Sequence, residues 1–118
     1  MALLSRLLRR SAGTEPGWIE AEALSAQLAS DAAPLVIDVR GADEFVGPLG
    51  HIEGAMNLPL HELGARAPEL ARHGTPLVMV CKTDRRSSAA AEQLRAAGAA
   101  NVVVLRGGME RWRSLGLP

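Results

Sequence analysis

The sequence contains a single cysteine, and the residue types around it suit nucleophilic chemistry. Cys81 directly follows the apolar run Leu77–Val80 and precedes a polar segment, residues 82–88, that leads into an alanine-rich stretch. This order predicts a strand, a short loop and the start of a helix. The first turn of a helix presents backbone N–H groups and the positive end of the helix dipole, which favour a thiolate. We therefore predict that Cys81 is a nucleophile; the alternative is a buried, inert cysteine at a strand end.

Length and composition restrict the classes of function. The chain has 118 residues and a formal net charge of zero, with acids and bases interspersed, so we expect no nucleic-acid binding and no membrane-surface role. A single cysteine cannot form an internal disulfide, which favours a reducing compartment such as the cytoplasm. The three histidines stand apart and form no metal-ligand motif, so we predict no metal site. No organic cofactor is predicted either.

The first 17 residues read as an extension and linker. Leucines and arginines in residues 3–10 are spaced as in a short amphipathic helix, and the segment is too short for a membrane span. A frayed terminus is the favoured interpretation, and a short amphipathic helix that docks on the domain or a partner is the alternative. Residues 18–118 are predicted to form one domain.

Alternating helical and apolar patterns follow in that domain. Helices are predicted over residues 20–29, 60–71, 87–97 and 109–115, and strands over 35–39, 55–58, 77–80 and 102–105. Gly64 and Pro68 predict a break in the second helix, and Ser87 or Ser88 is a candidate cap for the third. Residues 40–54 read as a loop. This alternation predicts an α/β fold with a central, mostly parallel sheet between helices.

Polar and small residues follow three of the predicted strands. Because ligands gather at the carboxyl ends of parallel strands, we expect Asp38, Arg40, Cys81, Gly107 and Gly108 to converge on one rim. A strand-end aspartate and arginine more often brace loops than touch substrate, so Asp38 and Arg40 are predicted to be supporting residues. The two glycines permit a tight turn and a close approach to the sulfur site. His51 is interpreted as part of a turn.

Several ordered motifs resemble those of single-domain rhodaneses. They are Ile37-Asp38-Val39-Arg40, Glu44-Phe45, residues 50–59 (GHIEGAMNLP), the Cys81 loop with Arg86-Ser87, and Arg106-Gly107-Gly108-Met109 with Trp112 and Gly116-Leu117-Pro118. The resemblance covers residues 18–118. It implies a five-stranded, mostly parallel sheet with helices on both faces. It also implies a sulfurtransferase that moves a sulfane sulfur, through a Cys81 persulfide, to a thiophilic acceptor such as cyanide or a thiol.

The loop after the cysteine supplies the groups that such a reaction needs. The predicted substrate-binding loop comprises Lys82, Thr83, Asp84, Arg85, Arg86 and Ser87. Its N–H groups would cradle a bound sulfur anion, and Lys82 or Arg85 would face a departing sulfite. This basic character favours thiosulfate as the donor. In similar loops the residue at position 86 points back into the protein, so Arg86 is predicted to support the loop by pairing with Asp38 or Glu44.

Asp84 departs from the resembling loops, which commonly carry glycine there. Asp tolerates unusual backbone conformations better than most residues, so the loop geometry should survive. Its carboxylate would repel an anionic sulfur unless it turns outward or pairs with Lys82 or Arg85.

Two other functions remain open. One is a sulfur-relay module whose persulfide is loaded and unloaded by protein partners, with little turnover of small donors. The other is a phosphatase or arsenate reductase. It is disfavoured because related enzymes of that kind separate cysteine and arginine by five residues, whereas four separate Cys81 from Arg86. The predicted partners are therefore a small sulfur-containing anion, a thiophilic acceptor and, in the relay, a protein sulfur acceptor.

Overall fold

The computed structural model describes residues 17–118, which form five strands and five helices. The strands are β1 (Trp18–Ile19), β2 (Leu35–Asp38), β3 (Met56–Asn57), β4 (Leu77–Val80) and β5 (Val102–Leu105). The helices are α1 (Ala21–Leu28), α2 (Ala42–Phe45), α3 (Leu60–Ala71), α4 (Arg85–Ala96) and α5 (Gly108–Ser114). Residues 1–16, which make up all but the last residue of the predicted N-terminal extension and linker, lie outside the described residues.

The strands form one sheet in the order β1-β5-β4-β2-β3, and every pairing among them is parallel. The register places Ile37 beside both Met79 and Met56. All five carboxyl ends therefore lie at the same edge of the sheet, with β4 in the middle. The predicted α/β fold is confirmed, and the sheet is wholly parallel where the sequence predicted a mostly parallel one.

Alternating strand residues fill two cores, one on each face of the sheet. One core joins Ile37 and Met79 to side chains of α3 and α4, among them Leu63 and Leu94. The other joins strand residues such as Val78 to side chains of α1 and α5. Burial on both faces explains why residues 35–37 of β2 and all of β4 are continuous apolar runs with no polar alternation. Helices cover both faces, as predicted.

The predicted break in α3 is wrong. The helix runs without interruption through Gly64 and Pro68. Proline removes one backbone donor, but Leu63, Ala67 and Leu70 are buried and hold one continuous face of the helix against the sheet and α4. Tertiary packing therefore outweighs the loss of one hydrogen bond.

Other boundaries also differ from the prediction. Helix α4 begins at Arg85, two residues earlier than predicted, so Ser87 and Ser88 lie inside it and neither caps it. Helix α2 lies within the segment predicted as a loop. The edge strand β1 was not predicted, because its two residues, Trp18 and Ile19, are too few to show a strand pattern.

Within residues 17–118, no helix is long and apolar enough to cross a membrane. The same residues contain no group of histidine, cysteine and acidic side chains that could hold a metal ion.

Candidate functional site

Strand β4 ends one residue before Cys81 and delivers it to the rim of the sheet. The cysteine is free and 1% exposed, and it forms part of the core between the sheet, α3 and α4. Its Sγ lies 3.2 Å from the hydroxyl oxygen of Ser87, which is fully buried on α4. The same hydroxyl donates to the carbonyl oxygen of Asp84 at 3.2 Å. The sulfur therefore has one polar side-chain neighbour, whose proton can turn towards it or away from it.

The first turn of α5 orients the peptide groups that follow Cys81. The N–H of Met109 donates to the carbonyl oxygen of Cys81 at 2.9 Å, and that of Glu110 donates to the carbonyl of Lys82 at 3.1 Å. In a trans peptide the carbonyl and the N–H of the next residue point in opposite directions. The N–H groups of Lys82 and Thr83 therefore face away from α5.

Gly108 allows α5 to approach the loop this closely. It has a φ of +55°, and a Cβ there would lie 2.5 Å from the carbonyl oxygen of Thr83 and 2.6 Å from that of Lys82. It would lie closer still to the carbonyl of Cys81. Glycine is thus required at position 108 for both backbone conformation and space.

The Asp84 carboxylate binds a backbone N–H group in the turn before α5. Asp84 precedes α4 with a φ of −136°, and its Oδ1 accepts a hydrogen bond from the N–H of Gly107 at 2.8 Å. The carboxylate thus joins the cysteine loop to the turn before α5. The sequence left two alternatives open, an outward orientation and a pair with Lys82 or Arg85. The structure instead joins the carboxylate to the Gly107 N–H, and residues 17–118 contain no ion pair of Asp84 with Lys82 or Arg85.

Arg86 points back to the protein and pairs with Glu44, one of its two predicted partners. The two guanidinium nitrogens donate to the two carboxylate oxygens at 2.7 and 3.0 Å. This hydrogen-bonded pair lowers the pKa of Glu44 from 4.5 to about 2, against a smaller opposing effect of burial. It also raises the pKa of Arg86.

The other predicted partner, Asp38, is engaged by Arg40. Both residues are 1% exposed, and the closest contact joins Arg40 Nη2 to Asp38 Oδ2 at 2.7 Å. Arg40 also donates to the carbonyl of Gly50 at 2.6 Å. Asn57 donates to the carbonyls of Asp38 and Arg40. Asp38 and Arg40 are thus buried at the rim, where they brace the loops after β2.

The remaining loop cations differ in their surroundings. The ammonium of Lys82 lies 3.8 Å from a carboxylate oxygen of Glu110 on α5. Arg85 is exposed at the first position of α4. Of the two residues predicted to face a departing sulfite, Arg85 therefore has the less compensated charge.

An open pocket of about 500 Å³ lies beside Arg86. Its lining comprises Val39, Gly41, Pro59, Leu60, His61, Gly64, Arg86 and Gln93. It lies between the end of β2 and helices α3 and α4. The pocket borders the cysteine loop at Arg86, and Cys81 is not among its lining residues.

His51 serves the turn, in keeping with its interpretation from the sequence. Its ring stacks on Phe45 with 3.7 Å between the ring centroids, and its Nδ1 lies 2.9 Å from the Phe45 carbonyl oxygen. Arg113, which the sequence did not single out, donates to the carbonyls of Leu49, His51 and Leu117. An arginine in a short polar helix carries no sequence signal for such a role.

Comparison with known proteins identifies the family. The sequence profile of the Rhodanese-like domain family matches residues 20–115. A solved structure of the rhodanese-like domain of a protein from Anabaena sp. superposes with a TM-score of 0.76 at 30% identity, over 86% of this chain and 76% of that one. The chain therefore belongs to the rhodanese-like domain family.

Two curated relatives are similar over most of the chain. A sulfurtransferase from Allochromatium vinosum is 34% identical over 100 residues, which is 85% of this chain and 91% of that protein. An uncharacterized protein from Synechocystis sp. is 39% identical over 93 residues, or 78% of this chain. The chain spans 50% of the length of the Synechocystis protein.

Proposed function

We propose that this protein is a sulfurtransferase that carries a sulfane sulfur as a persulfide on Cys81. The observation that carries the proposal is the orientation of the cysteine loop. Its carbonyls at Cys81 and Lys82 are bound by α5, so the N–H groups of Lys82 and Thr83 face the opposite side. Backbone donors of this kind stabilise a sulfur anion. Membership of the rhodanese-like family and the sulfurtransferase among the relatives support the same function.

The first half-reaction loads the cysteine. The Cys81 thiolate attacks the outer sulfur of thiosulfate, and a new sulfur–sulfur bond forms at Sγ. The bond between the outer sulfur and the sulfonate sulfur breaks, and its electron pair leaves with sulfite. The proton lost from the thiol beforehand goes to solvent. The Ser87 hydroxyl, 3.2 Å from Sγ, then turns its proton from the Asp84 carbonyl towards the thiolate that remains.

The second half-reaction unloads it. A thiophilic acceptor, cyanide or a thiolate, attacks the outer sulfur of the persulfide. The bond to Sγ breaks, and its electron pair returns to Cys81 as the thiolate. No net oxidation or reduction occurs, because the sulfane sulfur passes from one nucleophile to another.

The charged side chains of the cysteine loop affect which sulfur donor the protein can use. Arg85 is exposed and provides a cation for thiosulfate and for the departing sulfite. Two of the three loop cations, however, lie next to carboxylates: Arg86 pairs with Glu44, and Lys82 approaches Glu110. This compensation weakens the attraction of a dianion and favours the second candidate function, a sulfur relay whose donor is a protein persulfide.

Turnover distinguishes the two candidates. Thiocyanate formation from thiosulfate and cyanide should saturate with thiosulfate and disappear in Cys81→Ser, with Arg66→Ala as a control substitution on the exposed face of α3. Turnover lost in Cys81→Ser supports the thiosulfate enzyme. No thiocyanate with thiosulfate, combined with transfer from a persulfidated donor protein, supports the relay. Absence of transfer from both donors would refute a sulfurtransferase.

A further inference from the structure

Asp84 stands at the position that precedes the first residue of α4, where an aspartate usually caps its own helix. A capping carboxylate accepts from the N–H groups of the second or third helical residue, here Arg86 and Ser87. Among residues 17–118, no side chain caps the start of α4. The Asp84 carboxylate instead reaches Gly107, 23 residues further along the chain, at 2.8 Å.

This bond has two consequences for the cysteine loop. It ties the loop to the turn before α5, next to the two backbone bonds by which Met109 and Glu110 hold the loop carbonyls. Because the carboxylate binds Gly107, it does not bind the first backbone N–H groups of α4. These N–H groups belong to the same helical turn as Ser87, whose hydroxyl contacts Sγ. An anionic sulfur and the carboxylate would otherwise compete for the same donors.

We propose that Asp84 is a positioning residue for sulfur transfer: by binding the Gly107 N–H, it fixes the cysteine loop on α5 and leaves the first amides of α4 for the sulfur anion. The inference rests on the proposed sulfurtransferase function. It explains how this chain carries an acidic residue beside an anionic centre. The relevant property of Asp84 is its acceptor oxygen, since its charge alone would oppose the reaction.

Two variants distinguish the effect of the Asp84 acceptor oxygen from the effect of its negative charge. Asp84→Asn keeps a carbonyl oxygen that can accept from Gly107 and loses the charge, whereas Asp84→Ala loses both. Glu110→Gln is the matched control for the hydrogen-exchange measurement, because it removes a neighbouring rim carboxylate that binds no backbone N–H in residues 17–118. All three are compared in the full chain.

Amide hydrogen exchange at Gly107 tests the bond itself without any substrate. Exchange should accelerate by at least about tenfold in Asp84→Ala, since a hydrogen bond to a charged group is lost. It should change less than about threefold in Asp84→Asn and in Glu110→Gln. Unchanged exchange in Asp84→Ala would overturn the proposal.

Kinetics test the positioning role. The rate constant for persulfide formation at saturating donor should fall about tenfold in Asp84→Ala and be restored in Asp84→Asn, with KM changing less than that rate constant. Alkylation of Cys81 by the neutral reagent iodoacetamide is the reference for simple access to the thiol. If Asp84→Ala slows alkylation and sulfur transfer equally, the positioning role is overturned. Equal losses of sulfur transfer in Asp84→Ala and Asp84→Asn would overturn it as well.

The two proposals fail in different ways. If the unmodified protein accepts sulfur from neither thiosulfate nor a protein persulfide, the proposed function fails and the positioning role fails with it, although Gly107 exchange still reports the bond. If the unmodified protein transfers sulfur and Asp84→Ala does so equally well, only the positioning role is refuted.

Discussion

At the scale of single residues, the site depends on close backbone contact between the cysteine loop and the turn before α5. Gly107 and Gly108 both have positive φ, and Gly108 lies against three loop carbonyls. The sequence indicated a tight turn here because two glycines follow a strand. It could not indicate which atoms the turn would touch, since that depends on how α5 docks.

Gly108→Ala tests this contact. A Cβ would strain the backbone and push the loop away from α5, so we expect persulfide formation to fall at least about tenfold and stability to fall by about 3 kcal/mol. Gly54→Ala is the control, because Gly54 also has positive φ but no atom of residues 17–118 within 4 Å of its Cβ position. Intact-mass analysis measures persulfide formation, and urea unfolding measures stability. Equal behaviour of the two variants would contradict the contact.

The Glu44–Arg86 pair predicts a pH dependence of stability. Because the pKa of Glu44 is lowered to about 2 in the folded chain, the pair stabilises the protein fully above pH 4.5 and loses its contribution as pH falls towards 2. The two side chains are 37% and 34% exposed, so water screens the pair and we expect about 1 kcal/mol.

Urea unfolding of Glu44→Gln measures this contribution. The variant should be less stable than the unmodified protein by that amount near neutral pH, and the difference should shrink between pH 4.5 and pH 2. A constant difference across this range would show that the carboxylate charge does not contribute.

At the scale of elements, the sequence predicted some segments better than others. The bounds of β4 and β5 were predicted without error, because each is a continuous apolar run that turn residues delimit. The two-residue strands β1 and β3 and the short helix α2 are too brief for periodicity to define. Gly64 and Pro68 suggested a break that packing of the buried face overrides.

Helix α3 therefore offers a stabilising substitution. Gly64 lies inside the helix, and a Cβ there would meet only the Gln93 side chain, at 4.0 Å, among the described residues. Gly64→Ala should raise the free energy of unfolding by about 0.5–1 kcal/mol, because alanine restricts the unfolded chain and favours the helix. Urea unfolding is the measurement.

Gly74→Ala is the comparison for that substitution. Gly74 follows α3 with a φ of +82°, so alanine there should lower stability even though space is open. A loss of stability in Gly64→Ala would mean that α3 is strained at its centre, against the description given above.

At the scale of the whole molecule, two arginines, the buried Arg40 and the partly buried Arg113, hold the long connection between β2 and β3 in place. Arg40 joins Asp38 to the carbonyl of Gly50, and Arg113 on α5 binds the carbonyls of Leu49 and His51. The sequence placed Asp38 and Arg40 correctly at the rim. The part played by Arg113 could not be predicted, because its partners are backbone groups more than sixty residues away.

Arg40→Ala should therefore destabilise the whole domain. It would leave the Asp38 carboxylate buried without its partner, which costs about 3–5 kcal/mol. Arg66→Ala removes an exposed ion pair with Glu69 and should cost less than about 0.5 kcal/mol. Thermal and urea unfolding compare the two. Similar losses would contradict the bracing role of Arg40.

The intact mass of the reduced protein, measured after incubation with thiosulfate and removal of the donor, shows whether Cys81 carries the transferred sulfur. We predict a mass increase of one sulfur atom that is absent in Cys81→Ser and is reversed by cyanide. If thiosulfate leaves the mass unchanged, a persulfidated donor protein should produce the same increase. An unchanged mass with both donors, or an adduct that persists in Cys81→Ser, would contradict the account.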